Sequence, residues 1–108
     1  SILVGVSENT GVPKNYSLNQ NYPNPFNPVT KINFEIPDAE NRGQREVQIK
    51  VYDVLGKEIA TIFQQKISAG KYEVEFNGSA YSSGIYFYTL LTGGSDPVKI
   101  TKKMILVK

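Results

Sequence analysis

Glu73 and Glu75 are the residues whose type and spacing first suggest chemistry. They alternate with Tyr72, Val74 and Phe76, so in a strand both carboxylates share one face, about 6.5–7 Å apart. Carboxylate pairs at roughly 5–9.5 Å hydrolyse glycosidic bonds. Lys71 shares their face, however, and a Lys-Glu-Glu row is also what the solvated side of an antiparallel sheet carries. A glycosidase further needs a cleft, which a small sandwich rarely builds. Asp38, Glu40, Asp53 and Asp96 stand near turns, but their spacing matches no calcium loop. Gly93-Gly94-Ser95 lacks the lysine and helix that follow a phosphate-binding loop. Seven tyrosines and five phenylalanines can line a sugar platform, with Tyr86 and Tyr88 on one face and Tyr52 opposite a core face. Tryptophan, the largest stacking surface, is absent. Tyrosine is also a common strand former, and Tyr86 suits a corner whose hydroxyl ties to backbone. Asn15-Tyr16-Ser17 and Asn77-Gly78-Ser79 match the N-glycosylation pattern. Asn77-Gly78 is more simply a tight turn with positive φ.

Composition removes further chemistries. There is no cysteine, hence no disulfide or thiolate, and no histidine, the commonest general base and transition-metal ligand. No metal and no cofactor is expected. Twelve Lys+Arg against ten Asp+Glu leave a net charge of +2, too small to argue for nucleic acid. The apolar runs are too short to span a bilayer, and Ser1 opens no signal-peptide pattern. The chain therefore reads as a non-catalytic β domain cut from a longer polypeptide.

The elements that must position these residues are strands. Ile32, Phe34 and Ile36 alternate with polar residues, as do Val47, Ile49 and Val51, and again Tyr72, Val74 and Phe76. All nine are expected to face inward. Ile59–Phe63 and Gly84–Leu91 read as strands buried on both sides, and Val98, Ile100, Met104 and Leu106 share a face of the last strand. A seventh strand is plausible over Tyr16–Gln20. Turn signals separate the runs at Pro37–Gly43, Leu55-Gly56, Ala69-Gly70, Asn77-Gly78, Ser82–Gly84 and Gly93–Pro97. No helical period is present. About seven short strands give an all-β, immunoglobulin-like antiparallel β-sandwich. Residues 1–15 form a linker or the end of an upstream domain, with Ser7–Asn15 polar and turn-rich, and whether Ile2-Leu3-Val4 pair as a strand is open. Residues 16–108 form the domain.

Tyr22-Pro23-Asn24-Pro25-Phe26-Asn27-Pro28 is the most informative stretch. Its prolines cannot donate to a ladder, and each pushes its predecessor toward extended geometry. Asn24 and Asn27 can cap bends. The segment reads as a stiff crossover, with Tyr22 and Phe26 free to plug the end of the sandwich and an edge strand blunted beneath it.

This stretch, continued through Val29-Thr30-Lys31-Ile32, resembles the opening of the type IX secretion system C-terminal sorting domain (type A, the Por secretion system family) of Bacteroidetes. Val51–Ala60 is similar to that family's central hairpin, Ser68–Asn77 to the next, and Ser83–Tyr88 to its glycine–tyrosine strand. Thr101–Lys108 resembles its terminal strand. The matches run in order over about Tyr16–Lys108. Longer loops at Glu40–Arg45 and Gly93–Pro97 depart from the plainest members. The resemblance implies a targeting module, not an enzyme, that directs a larger upstream cargo across the outer membrane. Its implied partners are the outer-membrane translocon and a sortase-like peptidase that removes the label. The implied route is through the periplasm to the cell surface or medium. The residues carried over as sorting candidates are Pro23, Asn24, Pro25, Asn27, Asp53, Gly56, Gly84, Tyr86, Lys102, Lys103, Val107 and Lys108. Nucleic acid is not an expected partner. The alternative is a structural or carbohydrate-binding accessory sandwich of a secreted hydrolase.

Overall fold

Period-two alternation leaves each strand with one apolar face, and such faces are buried by stacking two sheets. A computed structural model of the chain describes residues 2–3, 12–38, 43–94 and 96–108. Its strands are β1 (Ile2–Leu3), β2 (Ser17–Leu18), β3 (Val29–Ile36), β4 (Arg45–Tyr52), β5 (Glu58–Ile67), β6 (Gly70–Asn77), β7 (Gly84–Thr92) and β8 (Lys99–Leu106). The sandwich is thus seven strands from Ser17 to Leu106, with the short β1 added at one edge. One sheet has the order β1-β6-β3-β2 and the other β5-β4-β7-β8. Every pairing within them is antiparallel. There is no helix among the described residues. This is the expected immunoglobulin-like sandwich.

The nine residues expected to face inward are all buried. Leu18, Phe26, Phe63, Ile67, Tyr86, Tyr88, Leu90, Met104 and Leu106 complete the core from the other elements. Phe34 packs edge-on against Phe63 across the sheets and stacks on Tyr72. Of the open segment Ile2-Leu3-Val4, Ile2 and Leu3 pair with Val74 and Glu73. The rest of Ser7–Asn15 up to Gly11, and Glu40, lie outside the described residues.

Two expectations about burial need correction. Ile59–Phe63 is not buried on both sides. It belongs to β5, an edge strand in which only Phe63 and Ile67 are buried. The pairing with β4 steps from Ile49↔Phe63 to Lys50↔Thr61, and from Val51↔Ala60 to Tyr52↔Glu58. Ile62 and Ile59 are therefore the extra residues of two bulges. A bulge breaks the alternation and makes a one-sided strand look two-sided in sequence, while twisting an edge away from self-pairing. In β7 two-sided burial holds at Thr89, but Ile85 is exposed and Phe87 and Leu91 are only half-buried.

Gly78 also behaves differently from a positive-φ turn glycine. Its amide donates to the Pro28 carbonyl at 2.7 Å. A Cβ there would lie 3.1 Å from Leu106 Cδ2 and 3.3 Å from Phe26 Cε2. Glycine is needed for close approach to two buried side chains. Gly78→Ala is expected to destabilise by about 1 kcal/mol, the low end of overpacking, since the clashing atoms are side-chain tips. Urea unfolding at unchanged m-value reads this, and an unchanged midpoint would mean that Leu106 and Phe26 yield freely.

Candidate recognition site at one end of the sandwich

The antiparallel registers place β3 and β7 starting, and β4, β6 and β8 ending, at the same end of the sandwich. The Tyr22–Pro28 crossover, the Asp53–Lys57 turn, Asn77–Gly84 and Val107-Lys108 therefore gather there. The described residues of the two longer loops, Pro37-Asp38 with Gly43-Gln44 and Gly93-Gly94 with Asp96-Pro97, lie at the opposite end. Most of the segments sharing motifs with the sorting family thus converge in space, while the Ser68–Gly70 turn lies at the other end with the departures and Lys102 and Lys103 lie along β8.

The crossover spans the two sheets. Tyr22 and Lys31 exchange backbone hydrogen bonds, each 2.9 Å, which anchors it beside β3. It then runs along the outer edge of β8. The Phe26 amide donates to the Ile105 carbonyl and the Val107 amide donates to the Phe26 carbonyl, both at 2.9 Å. The Ile105 amide donates to Asn24 Oδ1 at 3.0 Å, and Gln20 Nε2 donates to the Lys103 carbonyl at 2.6 Å. A strand edge that would otherwise invite another chain is capped by a segment whose prolines forbid a continuous ladder. Phe26 plugs the end as expected, 1% exposed and edge-on to Phe76 at 6.0 Å. Tyr22 does not; it is 79% exposed, because its backbone pairing with Lys31 turns the ring away from the core. Pro23, Asn24, Pro25 and Asn27 are all exposed. Asn24 ties to β8 rather than to its own bend, and Asn27 shows no side-chain hydrogen bond among the described residues.

Beneath the crossover lies a buried polar node. Asn21 Nδ2 donates to Thr30 Oγ1 at 3.0 Å and to the Pro23 carbonyl at 3.1 Å. Thr30 Oγ1 donates to the same carbonyl at 2.9 Å. The Asn21 amide donates to the Tyr88 hydroxyl at 2.8 Å, and that hydroxyl donates to the Asn19 carbonyl at 2.6 Å. Burial pushes the Tyr88 phenol up to about 12, opposed by the Asn21 amide, which favours the ionised oxygen. These groups fix the crossover's path, since buried polar atoms need partners. Sequence reasoning missed Asn21 and Thr30. The signal available was Thr30 itself, a polar residue in phase with the inward Ile32 and Phe34.

Asp53 and Gly56 build the adjoining turn. Asp53 Oδ1 accepts from the Leu55 and Lys57 amides, each at 2.9 Å, and Gly56 has a φ of +85°, which favours glycine. Gly84 opens β7 opposite Leu106. The Tyr86 hydroxyl donates to the Ser82 carbonyl at 2.6 Å, the expected corner, and Tyr72 repeats it on Ser68. Tyr86 and Tyr88 are buried and offer no platform for sugar.

The terminal lysines are not one patch. Lys102 is half-buried in phase with Met104, while Lys103 is exposed on the other face. Lys108 is held at the motif end, its amide donating to Ser83 Oγ at 2.9 Å and its ammonium to the Ser79 carbonyl at 2.7 Å. Val107 is 46% exposed beside it. Glu73 and Glu75 alternate with lysines on the outer face of the first sheet, Glu75 opposite Lys31 and Lys71 opposite Glu35. The Glu73 carboxylate pairs with Lys31 at 3.6 Å. Asp53 stands at the motif end, whereas Asp38 and Asp96 stand at the other. No group of three or more potential metal ligands forms among the described residues. Asn77 Oδ1 accepts from the Ser79 amide at 2.9 Å, as in an Asx turn.

Residues 20–108 match the family model described as secretion system C-terminal sorting domain, the system being type IX. The chain belongs to that family. The matched span begins at the crossover and takes in every strand from β3 to β8, so it covers both the convergent end and the sheets that hold it together. No curated protein and no solved structure matches the chain. A sorting domain of this kind implies a type IX secretion system, an attached cargo, and a destination at the cell surface or outside the cell.

Proposed function

We propose that residues 16–108 act as a non-catalytic address label, recognised in the periplasm by the outer-membrane translocon through the motif end of the sandwich. The observation that supports this reading is the convergence there of Pro23–Asn27, Asp53–Gly56, Gly84, Tyr86, Val107 and Lys108, clamped by the crossover along β8. Tyr86, Asp53 and Gly56 shape that end by holding turns, while exposed Pro23, Asn24, Pro25, Asn27 and Val107 are the groups a partner touches. The test is the Lys102→Gln/Lys103→Gln/Lys108→Gln variant fused to a periplasmic reporter. The exposed Lys103→Gln change shifts stability by under about 0.5 kcal/mol; Lys102 is half-buried and the Lys108 ammonium is hydrogen-bonded, so urea unfolding of the triple variant checks that it is folded before export is read. Partial loss of export is expected, with most of it traced to Lys108, the lysine fixed at the motif end. Normal export would place recognition in the backbone shape and the crossover alone.

The label is then removed by a sortase-like cysteine peptidase, and the cargo is anchored or released. Cleavage falls between Ser7 and Asn15, where the sequence is polar and without an apolar face. Mass spectrometry of released cargo gives its new C-terminus. A cut inside Ile32–Lys108 would contradict this, because those strands are protected by burial. A role as a carbohydrate-binding accessory is the second reading, and a sugar-binding isotherm on the chain distinguishes the two.

A further inference from the structure

On one side of the sandwich β5 and β6 are neighbours across the sheets, as β2 and β8 are on the other. β6 has eight residues, and among the described residues β1 pairs with only two of them, Glu73 and Val74. The rest of that edge, toward the motif end, is Glu75, Phe76 and Asn77. Beside it lies an open slot of about 440 Å³, walled by Phe76, by Ala60 and Ile62 of β5 and by Tyr81. Phe76 is buried, and the other three are half-buried. The Tyr81 hydroxyl already donates to the Ile59 carbonyl at 3.1 Å, and its ring stacks on Phe76 at 5.9 Å. These walls are apolar and satisfied, while Glu75 and Asn77 border the slot from the outward phase of β6. The backbone of this edge points outward as well. Lys31 stands opposite Glu75, yet it exchanges its amide and carbonyl with Tyr22. The Glu75 amide and carbonyl therefore face the β1 edge, as do those of Asn77 two residues on. Gly78, in the other phase, gives its amide to Pro28.

We propose that the residues leading into Ile2 from the attached cargo continue β1 along β6 and set an apolar side chain in the slot. Register dictates the positions. β1 is antiparallel, with Ile2 opposite Val74 and Leu3 opposite Glu73, so each step back from Ile2 is one step forward along β6. The residue two before Ile2 falls opposite Phe76, and the residue three before it falls opposite Asn77. Directly opposite side chains share a face of the sheet, so the first of these points inward with Phe76, over Ala60 and Ile62. The second brings its amide and carbonyl to those of Asn77. Strand addition at such an edge supplies main-chain hydrogen bonds, and the slot supplies specificity. It also covers an edge that would otherwise invite another chain. Continuity selects the occupant. These residues are covalently next to a strand already paired, whereas a free peptide or a second copy loses translational and rotational freedom on binding. The cargo then enters at the motif end. β1 runs from there toward the far end, where β2 begins, so a cut in the linker between them leaves β1 with the cargo. The proposal rests on the sorting reading only for the presence of cargo ahead of Ile2.

The test is amide exchange by NMR in three forms of the chain. One is residues 1–108, one is the same chain preceded by three threonines and a valine abutting Ser1, and in the third the valine is moved one place earlier. Neither extension alters a folded residue. In the first extension the valine stands opposite Phe76, and in the second it falls in the outward phase. The Asn77 amide is expected to exchange about tenfold more slowly with the first extension than in the unextended chain. Valine methyl contacts to Ile62 and Tyr81 should accompany the slowing, and the second extension should leave exchange at Asn77 as it is in the unextended chain. Equal protection by both extensions, protection by neither, or protection without those methyl contacts would overturn the proposal. So would protection of Asn77 in the unextended chain that grows with protein concentration, since a second copy would then hold the edge. Export is not read in this experiment, so its failure is distinguishable from failure of the sorting role.

Discussion

Phe26→Ala is expected to lower stability by about 3–5 kcal/mol, the range for removing a fully buried phenylalanine. The ring is 1% exposed and sits between Phe76 of one sheet and Leu106 of the other. Its loss opens a cavity at the point where the crossover joins the sheets. Domains of this size have net stabilities of about 5–15 kcal/mol, so roughly a fifth or more of the total is at stake. The effect should be local at first. The amide of residue 26 donates to the Ile105 carbonyl and its carbonyl accepts from the Val107 amide, so amide exchange at residue 26 and Val107 should accelerate before the rest of β8 opens. Tyr22→Ala is the control. Its side chain is exposed, and the change should stay within about 0.5 kcal/mol. Urea unfolding of the two variants checks the contrast, and equal destabilisation would mean that the crossover is a passive loop.

Tyr88→Phe should cost about 1–3 kcal/mol, because it leaves the buried Asn21 amide without its acceptor. Its signature is pH dependence. The phenol is raised from 10.0 to about 12 in the folded chain by burial. Below the unfolded value of 10.0 its contribution is fully present. As pH rises toward about 12 the unfolded chain ionises first, and the contribution is lost through that window. The stability gap between the parent chain and Tyr88→Phe should therefore narrow from pH 10 to 12. Taking the difference removes the lysines, which titrate in both proteins. A constant gap would mean that the hydroxyl is not buried in the node.

Much of this was legible from residue order. The inward set on β3, β4 and β6 follows from alternation alone, because a period of two admits only one buried face. The Tyr86 corner was visible for a similar reason, a tyrosine just inside a strand that follows a serine-rich turn. β5 was misjudged because its two bulges place Ile59 and Ile62 out of phase, and a bulge is set by the partner strand rather than by local sequence. The polar node was hidden for the same kind of reason. Asn21, Thr30 and Tyr88 are far apart in sequence, and only the crossover's return to β3 brings them within hydrogen-bond reach. Among the candidate residues, the motif segments were marked singly by the family resemblance, but the convergence of most of them at one end depends on strand direction, which no single motif carries. The terminal lysines looked alike in sequence, yet strand parity sends Lys102 and Lys103 to opposite faces.

The central claim is that this folded sandwich is itself sufficient to send a cargo out. Its most direct test fuses residues 1–108 to a periplasmic reporter and expresses the fusion in a host with a type IX system, beside the same host lacking the translocon. The account predicts reporter at the surface or in the medium of the first strain and in the periplasm of the second. A folded fusion that stays in the periplasm of both strains, or leaves both alike, would contradict it.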